Sequence, residues 1–131
     1  MNDMGALVSI VDDDDSVRES MLCLPKSFGW NARAYDSALG FLASTSFPDT
    51  ACLIADVQMP CMTGIELYER LMQMGHAIPT ILITAYPSDE SRAKALADGV
   101  LCYLSKPLDD ELLIGCVQSA LATPGGHAPG P

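Results

Sequence analysis

Two stretches, ACLIA at residues 51–55 and IPTILIT at 78–84, are apolar almost from end to end and do not alternate with polar residues. A strand with one face in water alternates, whereas a continuous aliphatic run of this length belongs to a strand covered on both faces. Buried parallel strands flanked by helices are therefore implied. Three further runs of strand length, Ala6–Val11, Asn31–Tyr35 and Leu101–Ser105, bring the expected strands to five.

Helical segments separate them. Asp36 or Ser37 can cap a short helix through Ser44. From Gly64 to Met74, Leu67, Leu71 and Met74 share a face, and Gly75 stands at the C-terminal cap position. The segment Ser88–Asp98, closed by Gly99, offers mainly Ala93, Leu96 and Ala97 for packing, so little apolar area holds it. The last helix carries the stripe Leu113, Cys116, Val117, Ala120 and Leu121, with Asp109, Asp110 and Glu111 at its positive dipole end. The first, about Ser16–Phe28, contains Pro25, where a kink or an early end is expected. Strands alternating with helices predict an α/β fold, a doubly wound five-stranded parallel sheet.

At 131 residues the chain suits a single domain. Thr123–Pro131, rich in Gly and Pro, reads as a disordered tail beyond a domain at 5–122. A net charge of −10 disfavours direct binding to nucleic acid, and no apolar run approaches membrane-spanning length. Five cysteines without CxxC spacing fit a reducing, cytoplasmic setting.

In a doubly wound sheet, ligands bind at the carboxyl ends of the strands. The first strand runs into Asp12–Asp15, the third ends in Asp56, the fourth in Thr84, and Lys106-Pro107 follows the fifth. Alone, the Asp run is a solvated helix cap, Asp56 a turn residue, Thr84 a strand terminator and Lys106 a surface cation. Together, Asp12, Asp13 and Asp56 form a concentration of negative charge. Two unit charges about 4 Å apart repel by about 4 kcal/mol at an effective dielectric of about 20, so a lysine or a divalent cation must compensate. Oxygen ligands favour Mg²⁺ or a similar hard ion, and phosphoryl transfer needs such charge neutralisation together with an in-line nucleophile.

IVDDDDSVR at 10–18, CLIADVQMPCMTGIEL at 52–67, ILITAY at 81–86 and GVLCYLSKPL at 99–108 resemble the receiver domains of two-component response regulators, a family that includes CheY-like and FixJ-type receivers. The resemblance covers roughly Leu7–Leu121. It implies the strand order 2-1-3-4-5 of the CheY-like, flavodoxin-like fold. It also implies that Asp56 accepts a phosphoryl group from the phosphohistidine of a sensor histidine kinase or from a phosphotransfer protein. Asp13, Asp56 and the Gln58 backbone carbonyl would ligate Mg²⁺, with Asp12 acting largely through water. Thr84 and Lys106 would engage the phosphoryl group, Thr84 and Tyr103 would form the switch, and Lys106-Pro107 would be cis. The implied output face, for a downstream protein or domain or for a homodimer, is the fourth helix, fifth strand and fifth helix. Such a chain is a phosphoacceptor limited to self-catalysed transfer and autodephosphorylation, not a dedicated enzyme. The alternatives are a Mg²⁺-dependent aspartyl-phosphate phosphatase, in which the nucleophile follows the first strand, and a binding-only pseudo-receiver. Gln58 and Tyr86, two residues beyond Asp56 and Thr84, stand where side chains can screen an acyl phosphate from water. The FixJ-type likeness leaves open a longer, DNA-binding parent chain.

Overall fold

The two aliphatic runs become β3 (Cys52–Asp56) and β4 (Thr80–Thr84), buried at every position. A computed structural model of the chain, describing residues 6–27, 29–45 and 47–122, sets them beside β1 (Leu7–Val11), β2 (Asn31–Tyr35) and β5 (Cys102–Ser105). All pairs are parallel and the order is β2-β1-β3-β4-β5. The expected doubly wound sheet is thus observed. The tail expected at 123–131 lies outside the described residues.

Period-two alternation sends neighbouring side chains to opposite faces. Val8, Ile10, Cys52, Ile54, Ile81 and Ile83 pack on one side with Leu113, Cys116, Val117 and Ala120 of α5 (Asp110–Ala122) and Met21 of α1 (Asp15–Ser27). Val11, Leu53, Ala55 and Leu82 pack on the other with Phe41 of α2 (Ala38–Ala43), Leu67 and Leu71 of α3 (Gly64–Gln73) and Ala95 of α4 (Asp89–Asp98). Among the charged and polar residues of this core, Ser9 and Thr50 satisfy each other at 2.7 Å.

Three local expectations need correction. Of the kink or early end expected at Pro25, the early end is not found, since α1 continues to Ser27. Pro25 falls in the last turn, where its missing N–H interrupts the ladder only once. On α3 the buried face is Leu67, Tyr68 and Leu71, while Met74 is 45% exposed. Met74 is the C-cap, and the chain leaves the helix at Gly75 with φ +82°, so the stripe is not prolonged. On α4 only Ala95 is buried, and Ala93, Leu96 and Ala97 are exposed. Its rotation is set by its ends: Ser88 caps the first turn, Gly99 closes the last at φ +113°, and the Tyr68 hydroxyl donates to the Asp98 carbonyl at 3.2 Å. The thinness of its packing was legible, but not its face.

α3 is pinned at its start by a reciprocal capping box between Thr63 and Glu66. Gly64 then brings the helix against the end of β3, where an added Cβ would lie 2.5 Å from the Asp56 carbonyl oxygen and 3.2 Å from Leu82. Backbone cannot yield as a flexible side chain does. Gly64→Ala is accordingly expected to destabilise the fold by about 2 kcal/mol, as overpacking does, seen as a lower urea midpoint with an unchanged slope.

Candidate functional site

The order β2-β1-β3-β4-β5 reverses chain direction across the sheet between β1 and β3, and opens a crevice at their carboxyl ends. Asp12 lies one residue beyond β1, Asp56 is the last residue of β3, Thr84 the last of β4, and Lys106 follows β5 directly. Strand register makes them neighbours. Ile83 faces Asp56 and Ser105 faces Thr84, while the Lys106 amide donates to the Thr84 carbonyl at 2.8 Å.

Lys106 Nζ stands 3.1 Å from Asp56 Oδ2 and 3.2 Å from Asp12 Oδ2. Asp12 and Asp56 are buried, with 0% and 4% of their surface exposed, and Asp13 beside them is open to solvent. Oxygens of all three carboxylates lie within 4.8 Å of one another. One lysine therefore faces three acids. Burial raises the Asp12 carboxyl above its usual range and the charge of Asp56 adds to this, against the Asp14 amide hydrogen bond and Lys106, which lower it. For Lys106, burial disfavours the ammonium, but its hydrogen bond to Asp56 and the charges of Asp12 and Asp56 prevail, so its affinity for the proton rises.

Asp12 Oδ1 accepts from the Asp14 amide at 2.9 Å. Asp12 Oδ2, in contrast, is buried without a hydrogen bond and is met by the Lys106 ammonium as an ion pair at 3.2 Å. An orphaned carboxylate oxygen in an all-oxygen cluster suits a hard divalent cation. Asp12, Asp13 and Asp56 thus fit Mg²⁺. The amide of Gln58 donates to Asp56 Oδ1 at 3.0 Å and orients the nucleophile candidate.

The Thr84 hydroxyl accepts from the Tyr86 amide at 2.9 Å and donates to Gln58 Oε1 at 2.6 Å. Tyr103 is buried, at 2% exposure, in the cluster containing Ala95 and Val100. Arg92 of α4 covers it, with its guanidinium 5.3 Å from the ring centroid and Nη1 donating to the Tyr103 carbonyl at 2.9 Å. The Lys106-Pro107 bond is cis.

Asp12, Asp13, Asp56, Gln58, Thr84 and Lys106 thus lie at or just beyond the carboxyl ends of β1, β3, β4 and β5, whereas Tyr103 is the second residue of β5 and packs in the core cluster. Two participants were not foreseen. Arg18 donates to the Asp12 backbone carbonyl at 2.6 Å and pairs with Asp15, holding the acidic loop against α1. Arg92 secures Tyr103. Both are basic residues on helices; for Arg18 the one available signal was its i+3 spacing from Asp15.

The family model of the response regulator receiver domain matches residues 8–118. The chain belongs to that family. It is a two-component signalling receiver domain. It is 35% identical over 121 residues to the response regulator protein TmoT of Ectopseudomonas mendocina, covering 92% of this chain and 55% of that protein. To the transcriptional regulatory protein FixJ of Azorhizobium caulinodans it is 34% identical over 114 residues, covering 87% and 54%. The receiver domain thus spans about half the length of these relatives. The crystal structure of FixJ-N superposes with a TM-score of 0.79 at 31% identity, covering 94% of this chain and 97% of that one.

The sign of the Asp12 shift gives a test. A carboxyl whose folded-state affinity for protons is raised costs stability when ionised, and the cost disappears as pH falls through its raised folded value. At neutral pH without divalent cations, Asp12→Asn should raise the melting temperature by several degrees, and this advantage should shrink on acidification. Differential scanning calorimetry across pH, with no gain for the variant at neutral pH, would contradict the assignment.

Proposed function

We propose that Asp56 is the phosphoacceptor of this receiver. The observation that carries this reading is the placement of Lys106 Nζ between Asp56 Oδ2 and Asp12 Oδ2 at the mouth of the sheet. Asp56 sits in the crevice with its carboxylate oriented by the Gln58 amide and paired with an ammonium.

In the proposed reaction a carboxylate oxygen of Asp56 attacks the phosphorus of a phosphohistidine in line with the P–N bond. The new O–P bond forms as P–N breaks, and the imidazole nitrogen departs with the bonding pair. Lys106 then turns from the carboxylates toward a phosphoryl oxygen, and the Thr84 hydroxyl donates to another. Asp13, Asp56 and the Gln58 carbonyl would hold Mg²⁺, with Asp12 acting largely through water, and the ion would supply the remaining neutralisation of phosphoryl charge. The domain transfers to itself and loses the group by autodephosphorylation; it is not a dedicated enzyme. A phosphatase-type site is not favoured, since the candidate nucleophile ends β3, not β1, and a pseudo-receiver is not favoured by an intact acid, hydroxyl and lysine set.

The donor is a sensor histidine kinase or phosphotransfer protein, and the readout a downstream protein or domain. Added phosphoryl charge recruits Lys106 and Thr84, and the movement of Thr84 is passed to Tyr103 and α4. The face of α4, β5 and α5 carries exposed Leu96, Leu101 and Leu112 and serves as the output or homodimer surface. The chain's net charge of −10 argues against direct nucleic-acid contact by residues 5–122, which we take as the domain. No helix among the described residues is long and apolar enough to cross a membrane. Burial pushes the Cys52 and Cys102 thiols up to about 12, and a cytoplasmic setting is consistent with a response regulator receiver.

Intact mass after incubation with Mg²⁺ and a small acyl phosphate tests the reading. The native chain should gain one phosphoryl group and Asp56→Asn none; equal gain by both, or none by either, would sink it. Lys106→Met should reduce the rate of gain by at least tenfold, as loss of a preorganised charge does.

A further inference from the structure

A hydroxyl has one hydrogen to donate, and in this structure the hydrogen of Thr84 is already committed. Thr84 Oγ1 donates to Gln58 Oε1 at 2.6 Å while accepting from the Tyr86 amide at 2.9 Å. Thr84 is fully buried, and Gln58 is exposed. The same Gln58 reaches the nucleophile through its backbone, whose amide donates to Asp56 Oδ1 at 3.0 Å. One exposed residue therefore touches both the acceptor and the hydroxyl that must answer it.

We propose that Gln58 is a positioning residue whose side-chain carbonyl competes with the phosphoryl group for the Thr84 hydroxyl, and so sets how readily the domain switches. This rests on the reading of Asp56 as the phosphoacceptor. It differs from screening an acyl phosphate against water, which depends on the bulk of the side chain and not on an acceptor atom. To donate to a phosphoryl oxygen, Thr84 must first release Gln58 Oε1. Because Gln58 is at the surface, its freed carbonyl is taken up by water, so the bond holds the resting arrangement without locking it. The worth of one net hydrogen bond corresponds to roughly a fivefold bias toward the resting state.

The test separates the acceptor atom from the bulk. Gln58→Met keeps the length of the side chain but removes the carbonyl, and at an exposed position it is not expected to disturb folding. Beryllium fluoride with Mg²⁺ serves as the phosphoryl mimic, titrated against ¹⁵N-labelled protein and read from amide shifts in the β4–α4 loop. In the Thr84 background, Gln58→Met should lower the half-saturating concentration about fivefold and shift the Tyr86 amide of the free protein, whose acceptor is the same hydroxyl. In a Thr84→Ala background the same substitution should leave half-saturation unchanged, the signature of energetic coupling between the two side chains. Equal effects in both backgrounds, or no effect with Thr84 present, would overturn the proposal. Intact mass with a small acyl phosphate separates the two levels. If the native chain gains no phosphoryl group, the phosphoacceptor reading falls and this inference with it. If it does gain one and the cycle shows no coupling, the inference alone falls.

Discussion

Two buried carboxylates on neighbouring strands share one ammonium, and the site is organised around that shortage of positive charge. Asp12 and Asp56 are held close by the pairing of β1 with β3, not by their own attraction. Lys106 reaches both. The sheet core, buried throughout β3 and β4, supplies the stability that offsets this concentration of like charge. The result is a pocket with one carboxylate oxygen that has no hydrogen bond and an acidic cluster that could hold a metal ion.

Several features exist to keep that pocket in shape. Arg18 pulls the backbone of Asp12 toward α1, and the Asp14 amide fixes one carboxylate oxygen. Gly64 lets α3 begin against the carbonyl of Asp56, where any side chain would collide with backbone. On the far side, a chain of contacts leads outward from Thr84 through the pairing of β4 with β5 to Tyr103, Arg92 and α4. α4 buries only Ala95 of its own residues, so the element at the end of this chain is held by little apolar area. That combination, a strained charge balance at one end and a lightly held helix at the other, is suited to a two-state response.

Much of the fold was legible in the chain because aliphatic runs, caps and glycine stops are local signals. ACLIA and IPTILIT carry the pattern of covered strands, and Ser37, one of the two cap candidates, Ser88, Gly75 and Gly99 stand at helix ends. The helix faces were less legible. Met74 fits the stripe of α3 in sequence yet lies at the cap, and Leu96 is more apolar than Ala95 yet points away from the core. Rotation of a helix about its axis is settled by its neighbours: Tyr68 against the end of α4, and Arg92 over Tyr103, are contacts between residues far apart in the chain.

The same division runs through the site. By itself the sequence determined that Asp12, Asp13, Asp56, Thr84 and Lys106 stand at strand ends, since hydrophobic period places the strands and, with them, the residues at their carboxyl ends. The roles assigned to them are those the family motifs imply. Only the tertiary structure decided that the Asp12 oxygen is left without a hydrogen bond, that Gln58 offers its side chain to Thr84, and that Tyr103 is turned inward under Arg92. Those outcomes depend on hydrogen-bond directions and on packing across strands, which are properties of atoms brought together by folding and are not carried by the order of residues along one segment.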